Sequence, residues 1–292
     1  MTTTAHRLLA ALLLLGGLLA IPPSARAAES YDACVDYIGS LPATINTQGV
    51  WCLDKNLATN ITTGNAITIA TNNVTIDCNG FKIGGLAAGN GSQANGIRAD
   101  GKQNATVRNC NIRGFRQGIY LNGGAGHLVE DNRLDNNLEV AILVYGSDNS
   151  RVRRNAAYDT GGATGKPNTW GIFASADIVG NTVSGLYADV PNGNMRGIYA
   201  SGYGTQVRDN TVSGFDMTAI QGGNVANAYG ITAYEDQQRV SGNHVAGDSG
   251  NITGTGITTI NNAATTYCLD NTVVGFTATI DVDCISNDNV AY

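Results

Sequence analysis

Three side chains in the middle of the chain could together move a proton. Tyr145 and Asp148 lie in the segment Tyr145-Gly146-Ser147-Asp148, and His127 precedes them by one repeat of the chain. A base and an acid on opposite faces of a sugar ring are the groups that β-elimination or epimerisation requires. His127 can join the other two only if the corner that holds it folds back towards them. Tyr145, Asp148 and His127 are the candidate catalytic residues, on the strength of the family resemblance given below.

A second set of side chains suits binding rather than proton transfer. Five aromatic residues recur at two places of the repeat described below: Tyr120, Phe173 and Tyr199 follow the second-strand Ile directly, and Tyr145 and Tyr234 lie two residues further on. If these places face outward, the rings form one accessible row, and aromatic faces of this kind suit the C–H faces of sugar rings. Ordinary cross-strand stacking, which stabilises a sheet without any ligand, is the alternative interpretation.

The elements that would position these residues belong to a repeat. An apolar residue is followed three places later by Asn and two places after that by another apolar residue, as in Val129, Asn132 and Leu134. The Asn position recurs at 79, 132, 155, 181, 210, 243 and 271, and Cys110 takes its place once. A second strand recurs as Gly96-Ile97, Gly118-Ile119, Ala141-Ile142, Gly171-Ile172, Gly197-Ile198, Gly230-Ile231 and Gly256-Ile257. Self-similarity of short strands at a nearly fixed period predicts a solenoid.

The predicted fold class is all-β, a right-handed parallel β-helix that forms a single-stranded solenoid. Apolar residues alternate with outward ones, so each strand buries one face only, and stacking of successive coils covers that face. Parallel crossovers are right-handed for steric reasons. The recurring Asn is expected to point inward at a bend, bond to its neighbours above and below, and adopt the left-handed backbone conformation that the bend needs.

The repeat resembles the parallel β-helix repeat family, which includes secreted pectin-lyase-like and carbohydrate-active proteins. The resemblance covers roughly residues 45 to 290 and rests on the spacing above and on first-coil segments such as Ile45–Leu53 and Asn73–Gly80. It implies the fold and leaves the activity open, because the family hosts many chemistries. Tyr145, Gly146 and Asp148 match a Tyr-Gly-x-Asp-Pro-His segment of mannuronan C5-epimerases, in which Tyr, Asp and His act on the C5 proton. Asn149 and Ser150 replace its Pro and His.

A column of charged residues follows the apolar residue of each repeat. The column is Asp77, Arg108, Glu130, Arg153, Val179 and Arg208, and the sign of its charge alternates over the first four members. A lyase would use one such arginine as base and the carboxylates to hold calcium against a uronate, so calcium is the one cofactor that this alternative implies. A ladder of solvated ion pairs, each worth under ~1 kcal/mol, is the simpler interpretation. No metal site and no other cofactor is predicted.

The first 27 residues have the features of a secretory signal. Arg7 precedes the apolar run Leu8–Ile21, and Ala25-Arg26-Ala27 is a small-x-small cleavage site. Removal of Arg7 and Arg26 from the 17 basic residues leaves 15 against 23 acidic ones. A net charge near −8 argues against nucleic acid and against anionic membranes as partners. We expect a secreted or periplasmic protein with no membrane span after cleavage.

The six cysteines predict three disulfides, since their number is even and they follow a secretory signal. Cys34 with Cys52 would fasten the N-terminal cap to the first strand. Cys78 and Cys110 lie at nearly matching places of successive coils, and Cys268 and Cys284 at the same apolar place of the last two, so their α-carbons should fall within bridging range.

Three regions follow from these features: residues 1–27 as signal peptide, 28–44 as an N-terminal cap and 45–292 as the β-helix domain. A short helix is expected near residues 32–38 of the cap. Five insertions between the Asn corner and the second strand should project from one side of the solenoid, at residues 82–95, 159–170, 184–196, 221–229 and 246–255. Loops on a rigid scaffold often hold binding sites.

The sequence therefore predicts a β-helix protein that binds carbohydrate or serves as a scaffold for surface interactions, with polysaccharide as the candidate partner. An acidic-polysaccharide lyase or C5-epimerase is the alternative. Whether the chain is an enzyme stays open, because no complete acid–base set is found.

Overall fold

Each coil of the molecule crosses three parallel sheets in turn, so the chain forms a three-sided solenoid. The structure is a computed structural model that describes residues 34–247, 252–260 and 266–292. The predicted signal peptide, residues 28–33 of the predicted cap and residues 248–251 of the fifth predicted insertion lie outside the described residues. From β2 onwards every third strand belongs to the same sheet, and all pairings between these strands are parallel.

We number the sheets in the order in which a coil enters them. Sheet 1 contains β2 (Ala43–Ile45), β5 (Asn65–Ile69), β8 (Asn95–Asp100), β11 (Gln117–Asn122), β14 (Val140–Tyr145), β17 (Thr169–Ala174), β20 (Asn194–Ala200), β23 (Asn227–Tyr234), β26 (Ile252–Ile260) and β29 (Phe276–Ile280). Sheet 2 contains β1 (Asp36–Tyr37), β3 (Gly49–Cys52), β6 (Val74–Asp77), β9 (Thr106–Arg108), β12 (Leu128–Glu130), β15 (Arg151–Arg153), β18 (Asp177–Val179), β21 (Gln206–Arg208), β24 (Arg239–Ser241), β27 (Tyr267–Leu269) and β30 (Ile285–Asn287). Sheet 3 contains β4 (Leu57–Ala58), β7 (Lys82–Gly84), β10 (Asn111–Arg113), β13 (Arg133–Asp135), β16 (Ala156–Gly161), β19 (Thr182–Tyr187), β22 (Thr211–Val212), β25 (His244–Ala246), β28 (Thr272–Val274) and β31 (Val290–Ala291). One 3₁₀ turn, Leu86–Ala88, is the helical element of the described residues.

The all-β parallel solenoid is thus confirmed, but the short helix expected near residues 32–38 is wrong for the part that the structure describes. Asp36–Tyr37 is a strand that pairs with Trp51 and Cys52 of β3. The segment extends sheet 2 by one strand and so covers its first edge, which would otherwise present unpaired backbone groups.

The core consists of apolar columns that run along the solenoid axis. In sheet 1 the isoleucines of the Gly-Ile pairs stack in register and are fully buried: Ile97, Ile119, Ile142, Ile172, Ile198, Ile231 and Ile257. Except at Ile142, which follows Ala141, a glycine precedes each of these isoleucines and packs closely against the next coil. A Cβ at Gly197 would come within 2.2 Å of Val212 Cγ1 and 2.6 Å of the Gly230 carbonyl oxygen. Glycine is therefore required there by space, since its φ is an ordinary one.

The corner between sheets 2 and 3 holds a continuous ladder of asparagines, which are buried except for the partly buried last member, Asn289. Each side-chain amide donates to the carboxamide oxygen of the next coil at 2.9–3.0 Å, and that oxygen also accepts from the backbone N–H of the residue before it in the ladder. The members are Asn132, Asn155, Asn181, Asn210, Asn243, Asn271 and Asn289. The predicted inward Asn is confirmed from Asn132 onwards, and the sequence reading missed Asn289.

Two details of the corner prediction are wrong. The left-handed residue is the one before the ladder Asn, for example Asp131 with φ of 55° and Asp209 with φ of 59°. The ladder Asn itself keeps ordinary backbone angles because its side chain must point inward. Asn79 is not a ladder member either, since it is exposed and left-handed with φ of 49°.

The three predicted disulfides are confirmed. Cys34 pairs with Cys52, Cys78 with Cys110, and Cys268 with Cys284, with Cα–Cα distances of 5.6, 4.7 and 5.8 Å. The Cys78–Cys110 disulfide lies directly before the first rung of the asparagine ladder, since the Cys110 backbone N–H donates to Asn132 Oδ1 at 3.0 Å. Three disulfides are typical of proteins that fold in an oxidising compartment.

Candidate functional site

The outward face of sheet 1 presents three columns of side chains over the four coils that contain β14, β17, β20 and β23. The first column is Val140, Trp170, Arg196 and Tyr229. The second is Leu143, Phe173, Tyr199 and Thr232. The third, which continues the same register past the strand ends, is Tyr145, Ser175, Ser201 and Tyr234.

Six rings in these columns form one surface, which we call the aromatic platform: Tyr145, Trp170, Phe173, Tyr199, Tyr229 and Tyr234. Phe173 lies at its centre, with its ring centroid 5.8 Å from that of Tyr145, 6.4 Å from Trp170 and 4.6 Å from Tyr199. Tyr199 in turn stacks on Tyr234 at 5.7 Å. Tyr145 is 51% exposed and the other rings are partly exposed, so the surface is open to solvent.

The structure brings together four of the five aromatics expected to bind a ligand, and it separates the fifth. Tyr120 has the predicted register but is divided from Phe173 by Leu143, which is only 9% exposed. Its ring instead lies under the guanidinium of Arg98, 4.7 Å from centroid to Cζ. Nothing tests ligand binding by any of these residues, so that role stays a prediction.

Sequence reasoning missed three members of this face, namely Trp170, Arg196 and Tyr229. Strict alternation places the outward neighbour of Phe173 two residues away, at Gly171. In the strand, however, Gly171 and Ile172 both face inward, so the next outward residue is three places back. The same holds for Arg196 before Tyr199. The residue directly before each Gly-Ile pair is outward-facing, and its identity in the sequence could have predicted these three members.

Arg196 introduces a positive charge among the rings. Its Cζ lies 5.0 Å from the ring centroid of Tyr229 and 5.7 Å from that of Tyr199. The side chain is partly buried, and its Nε is a buried atom that has no hydrogen-bond partner among the described residues. Burial lowers the pKa of Arg196, although the neighbouring Tyr229 and Tyr199 oppose the shift.

Loops border the platform at the first column, where the chain enters sheet 1 from sheet 3. The predicted insertions lie on this edge, and within the described residues three of them contact one another. Asp189 joins them, because its Oδ2 accepts hydrogen bonds from the Gly165 backbone N–H at 2.7 Å and from Gln221 Nε2 at 2.6 Å. Loops on this edge are thus braced by a buried carboxylate.

A polar groove of about 460 Å³ borders the platform at the third column. Ser175 and Ser201 lie at their common edge, with their hydroxyl oxygens 2.7 Å apart. Three carboxylates line the groove, those of Asp148, Asp177 and Glu235. The volume lies in the range of small-molecule sites. The groove thus offers hydroxyl and carboxylate groups beside the rings.

The candidate catalytic residues do not form a set. Asp148 lines the groove next to Tyr145, but His127 is only 2% exposed. Its Nδ1 accepts a hydrogen bond from the Ala105 backbone N–H at 3.2 Å, and its Nε2 donates to the Gly123 carbonyl at 3.0 Å. Burial lowers the pKa of His127 against the effect of these two bonds. The imidazole therefore has no free nitrogen with which to move a proton, and catalysis by Tyr145 and Asp148 remains untested.

The charged column on sheet 2 forms the predicted ion pairs but is less solvated than expected. Arg108 Nε donates to Asp77 Oδ2 at 2.7 Å, and Arg153 Nε to Glu130 Oε2 at 2.8 Å. Asp77 and Glu130 are buried, at 6% and 8% exposure. In the described ranges no three or more His, Cys, Asp or Glu side chains are grouped so as to hold a metal ion. Calcium binding stays an expectation of the lyase alternative.

Three parallel sheets joined by short corners, with a stacked polar ladder inside, define the molecule as a parallel β-helix. The chain matches the family described as "Right handed beta helix region" over residues 44–212 and, in an overlapping match, 95–290. It belongs to this family, and the predicted right-handed coil is thereby confirmed. Within the described residues no helix is long and apolar enough to cross a membrane.

Several solved structures are similar to the chain. The Dettilon tailspike protein is 16% identical with a TM-score of 0.47, and the match covers 88% of this chain and 60% of that protein, so the chain spans less than two thirds of its length. The Streptococcus pneumoniae surface protein and adhesin PfbA is 11% identical with a TM-score of 0.45, over 88% of this chain and 89% of that one. An alginate lyase from a Paenibacillus species is 16% identical with a TM-score of 0.41, over 84% and 88%. No curated protein matches. Likenesses at these levels do not bear on what this chain binds.

Proposed function

We propose that this protein binds carbohydrate outside the cytoplasm, either secreted or in a periplasm, with the aromatic platform as its binding surface. The observation that supports this is the set of contiguous, solvent-accessible rings on four successive coils. Exposed aromatic surface of this extent marks an interaction site more often than it marks a solvated face.

The surroundings of the platform fit a sugar better than a purely apolar ligand. A sugar has apolar C–H faces and a rim of hydroxyl groups. The platform supplies ring faces, and the adjoining groove supplies hydroxyls from Ser175 and Ser201 and a carboxylate from Asp148. Carboxylates accept hydrogen bonds from hydroxyls strongly, because an ionised acceptor makes shorter and stronger bonds.

An acidic-polysaccharide lyase or C5-epimerase is supported less well. Either reaction needs a base within reach of Tyr145 and Asp148. His127, the candidate base, is engaged with backbone groups on both sides of its ring. Binding is therefore proposed without a chemical step.

Tyr145→Ala tests the platform with little risk to the fold, since Tyr145 is half exposed and has one ring contact, to Phe173. We expect about a ten-fold loss of glycan affinity, or ~1.4 kcal/mol. The loss of one exposed ring contact, about 0.5 kcal/mol, should change the melting temperature by only ~1–2 °C. Tyr267→Ala is the matched control, because Tyr267 is 48% exposed and lies on sheet 2.

The binding assay can report from the platform itself. The protein has two tryptophans, Trp51 and Trp170. In a Trp51→Phe background, the fluorescence of Trp170 reports ligands at the first column. Glycans that bind on an array are titrated in this way. The proposal fails if no glycan binds, or if Tyr145→Ala and Tyr267→Ala lower affinity equally.

A further inference from the structure

The eleven arginines of the described residues differ in how their charge is balanced, since Arg133 and Arg239 are exposed without an ion pair and Arg196 is partly buried without one. Eight of them lie within 4 Å of a carboxylate: Arg98, Arg108, Arg113, Arg116, Arg151, Arg153, Arg154 and Arg208. Arg196 is partly buried and makes no ion pair with any described residue. It is the one basic side chain in the three columns over β14 to β23.

A buried cation without an anion is costly unless something else compensates it. The two tyrosine rings do so only in part, since a cation–π contact is worth about 0.5–2 kcal/mol. Arg133 shows the difference, because its Cζ lies 4.6 Å from the Tyr158 ring centroid on sheet 3 while its side chain remains exposed to water. Arg133 keeps its hydration, whereas Arg196 has lost part of it and has a buried Nε without an acceptor.

The guanidinium is also positioned for recognition. The ring centroids of Tyr199 and Tyr229 lie 5.7 and 5.0 Å from its Cζ, so two side chains restrict where the guanidinium can lie. A planar guanidinium pairs with the two oxygens of a carboxylate or a sulfate through parallel hydrogen bonds. Because Nε is buried, such a pair would form at the Nη1 and Nη2 edge of the guanidinium, whose nitrogens are not among the buried unpaired atoms.

The opposite border of the platform has the opposite charge. The groove beyond the third column is lined by Asp148, Asp177 and Glu235, and Arg151 Nε lies 3.9 Å from Asp177 Oδ2. An anionic substituent would be repelled on that side and attracted at Arg196. The charge distribution across the sheet therefore favours one orientation of the ligand.

We propose that Arg196 is the anion-binding residue of the platform and that the ligand is a glycan whose sugar ring beside Tyr199 and Tyr229 has a carboxylate or a sulfate group. This inference depends on the proposed function and adds the charge of the ligand and the residue that reads it.

Matched charged and neutral polymers test the proposal. The probes are polygalacturonate against its methyl ester, and dextran sulfate against dextran, each titrated by Trp170 fluorescence in the Trp51→Phe background. In at least one pair the charged member should bind ten-fold or more tightly than its neutral partner, because a hydrogen bond to a charged group adds about this factor. The pair that shows the preference distinguishes a carboxylate from a sulfate.

Variants then assign the preference to Arg196. Arg196→Gln should abolish the difference in affinity between charged and neutral members, whereas Arg133→Gln should leave that difference unchanged. Arg196→Lys should retain part of the preference, since it keeps the charge and loses the two-bond geometry. Without ligand, Arg196→Gln should melt no lower than wild type, because the residue removed is an unpaired cation.

Three outcomes overturn the inference. If charged and neutral members bind equally while Tyr145→Ala weakens both, the anion assignment fails and the carbohydrate-binding proposal stands. If Arg196→Gln still binds the charged member more tightly, another cation binds the anionic group and the assignment to Arg196 is wrong. If none of the probes and no glycan on the array binds, both proposals fail together.

Discussion

Removal of one rung of the asparagine ladder should destabilise the solenoid far more than a surface substitution of the same kind. Asn181 lies in the middle of the ladder, between the coils that contain Tyr145 and Tyr199, and it is 1% exposed. Its Nδ2 donates to the Val152 carbonyl at 2.9 Å and to Asn210 Oδ1 at 3.0 Å. Its Oδ1 accepts from the backbone N–H of Asn155 at 2.9 Å and from Asn155 Nδ2 at 3.0 Å. Asn181→Ala deletes all of these bonds.

The size of the effect follows from those four bonds. A net value of about 1 kcal/mol for each gives a loss near ~4 kcal/mol. Within this total, the backbone N–H of Asn155 loses its acceptor inside a packed corner, and an orphaned buried donor alone costs about 1–3 kcal/mol. In a domain of this size ~4 kcal/mol corresponds to a fall in melting temperature of roughly 8–16 °C.

Thermal unfolding followed by circular dichroism measures this fall, with Asn227→Ala as control. Asn227 lies in β23, is partly exposed, and donates through Nδ2 to Asn194 Oδ1 at a long 3.4 Å. Its replacement should lower the melting temperature by no more than ~2 °C, as for other surface changes. Equal falls in melting temperature for the two variants would show that the ladder does not stabilise the fold.

Two further predictions concern the C-terminal coils and a buried base. Replacement of both Cys268 and Cys284 by Ser removes a disulfide that closes a loop of 16 residues and contributes about 3 kcal/mol to stability. Amide hydrogen exchange should then rise first in the last coils, because the terminal coil has only one neighbouring coil. A first rise in the middle of the solenoid would contradict this prediction. Burial lowers the pKa of His127, so the unfolded chain binds a proton at this residue more readily than the folded chain does. The contribution of His127 to the free energy of unfolding is therefore complete above the pKa of an unfolded histidine, about 6.5. It is lost progressively as the pH falls below that value. The melting temperature should therefore drop between pH 7.5 and 5.5 by less in His127→Asn than in a variant of the exposed His244, and equal drops would show that His127 titrates normally.

The interior of the molecule could be predicted from sequence because stacking requires side chains of similar size and polarity at the same inward position of every coil. An inward position admits only a residue that fits its copies above and below, so Ile, Gly and Asn recur with visible spacing. The disulfide Cys78–Cys110 was predictable for the same reason, since the two cysteines lie at nearly the same place of successive coils, one residue apart in register. Repetition of this kind leaves a clear signal even without any knowledge of the fold.

The outward face gave a weaker signal. Many kinds of side chain are stable in contact with water, so the residues of an outward column need not be alike. Their register must instead be counted from the inward residues of the same strand. That count failed where Gly171 and Ile172 both turn inward, which hid Trp170. His127 was misjudged because its burial depends on a corner formed with Ala105 and Gly123, which its position in the sequence does not indicate.

The extent of the aromatic platform sets the length of ligand that it can hold. Val140 and Leu143 end the aromatic columns on one side, and Thr232 and Thr255 end them on the other. The rings therefore span the coils of β14, β17, β20 and β23, three steps of about 4.8 Å or roughly 14 Å along the axis. A single sugar would leave most of this surface in contact with water, whereas a short oligosaccharide along the axis would reach both Tyr145 and Tyr234. The platform thus fits a chain of sugars better than a monosaccharide, and affinity should rise with chain length until the ligand spans all four coils.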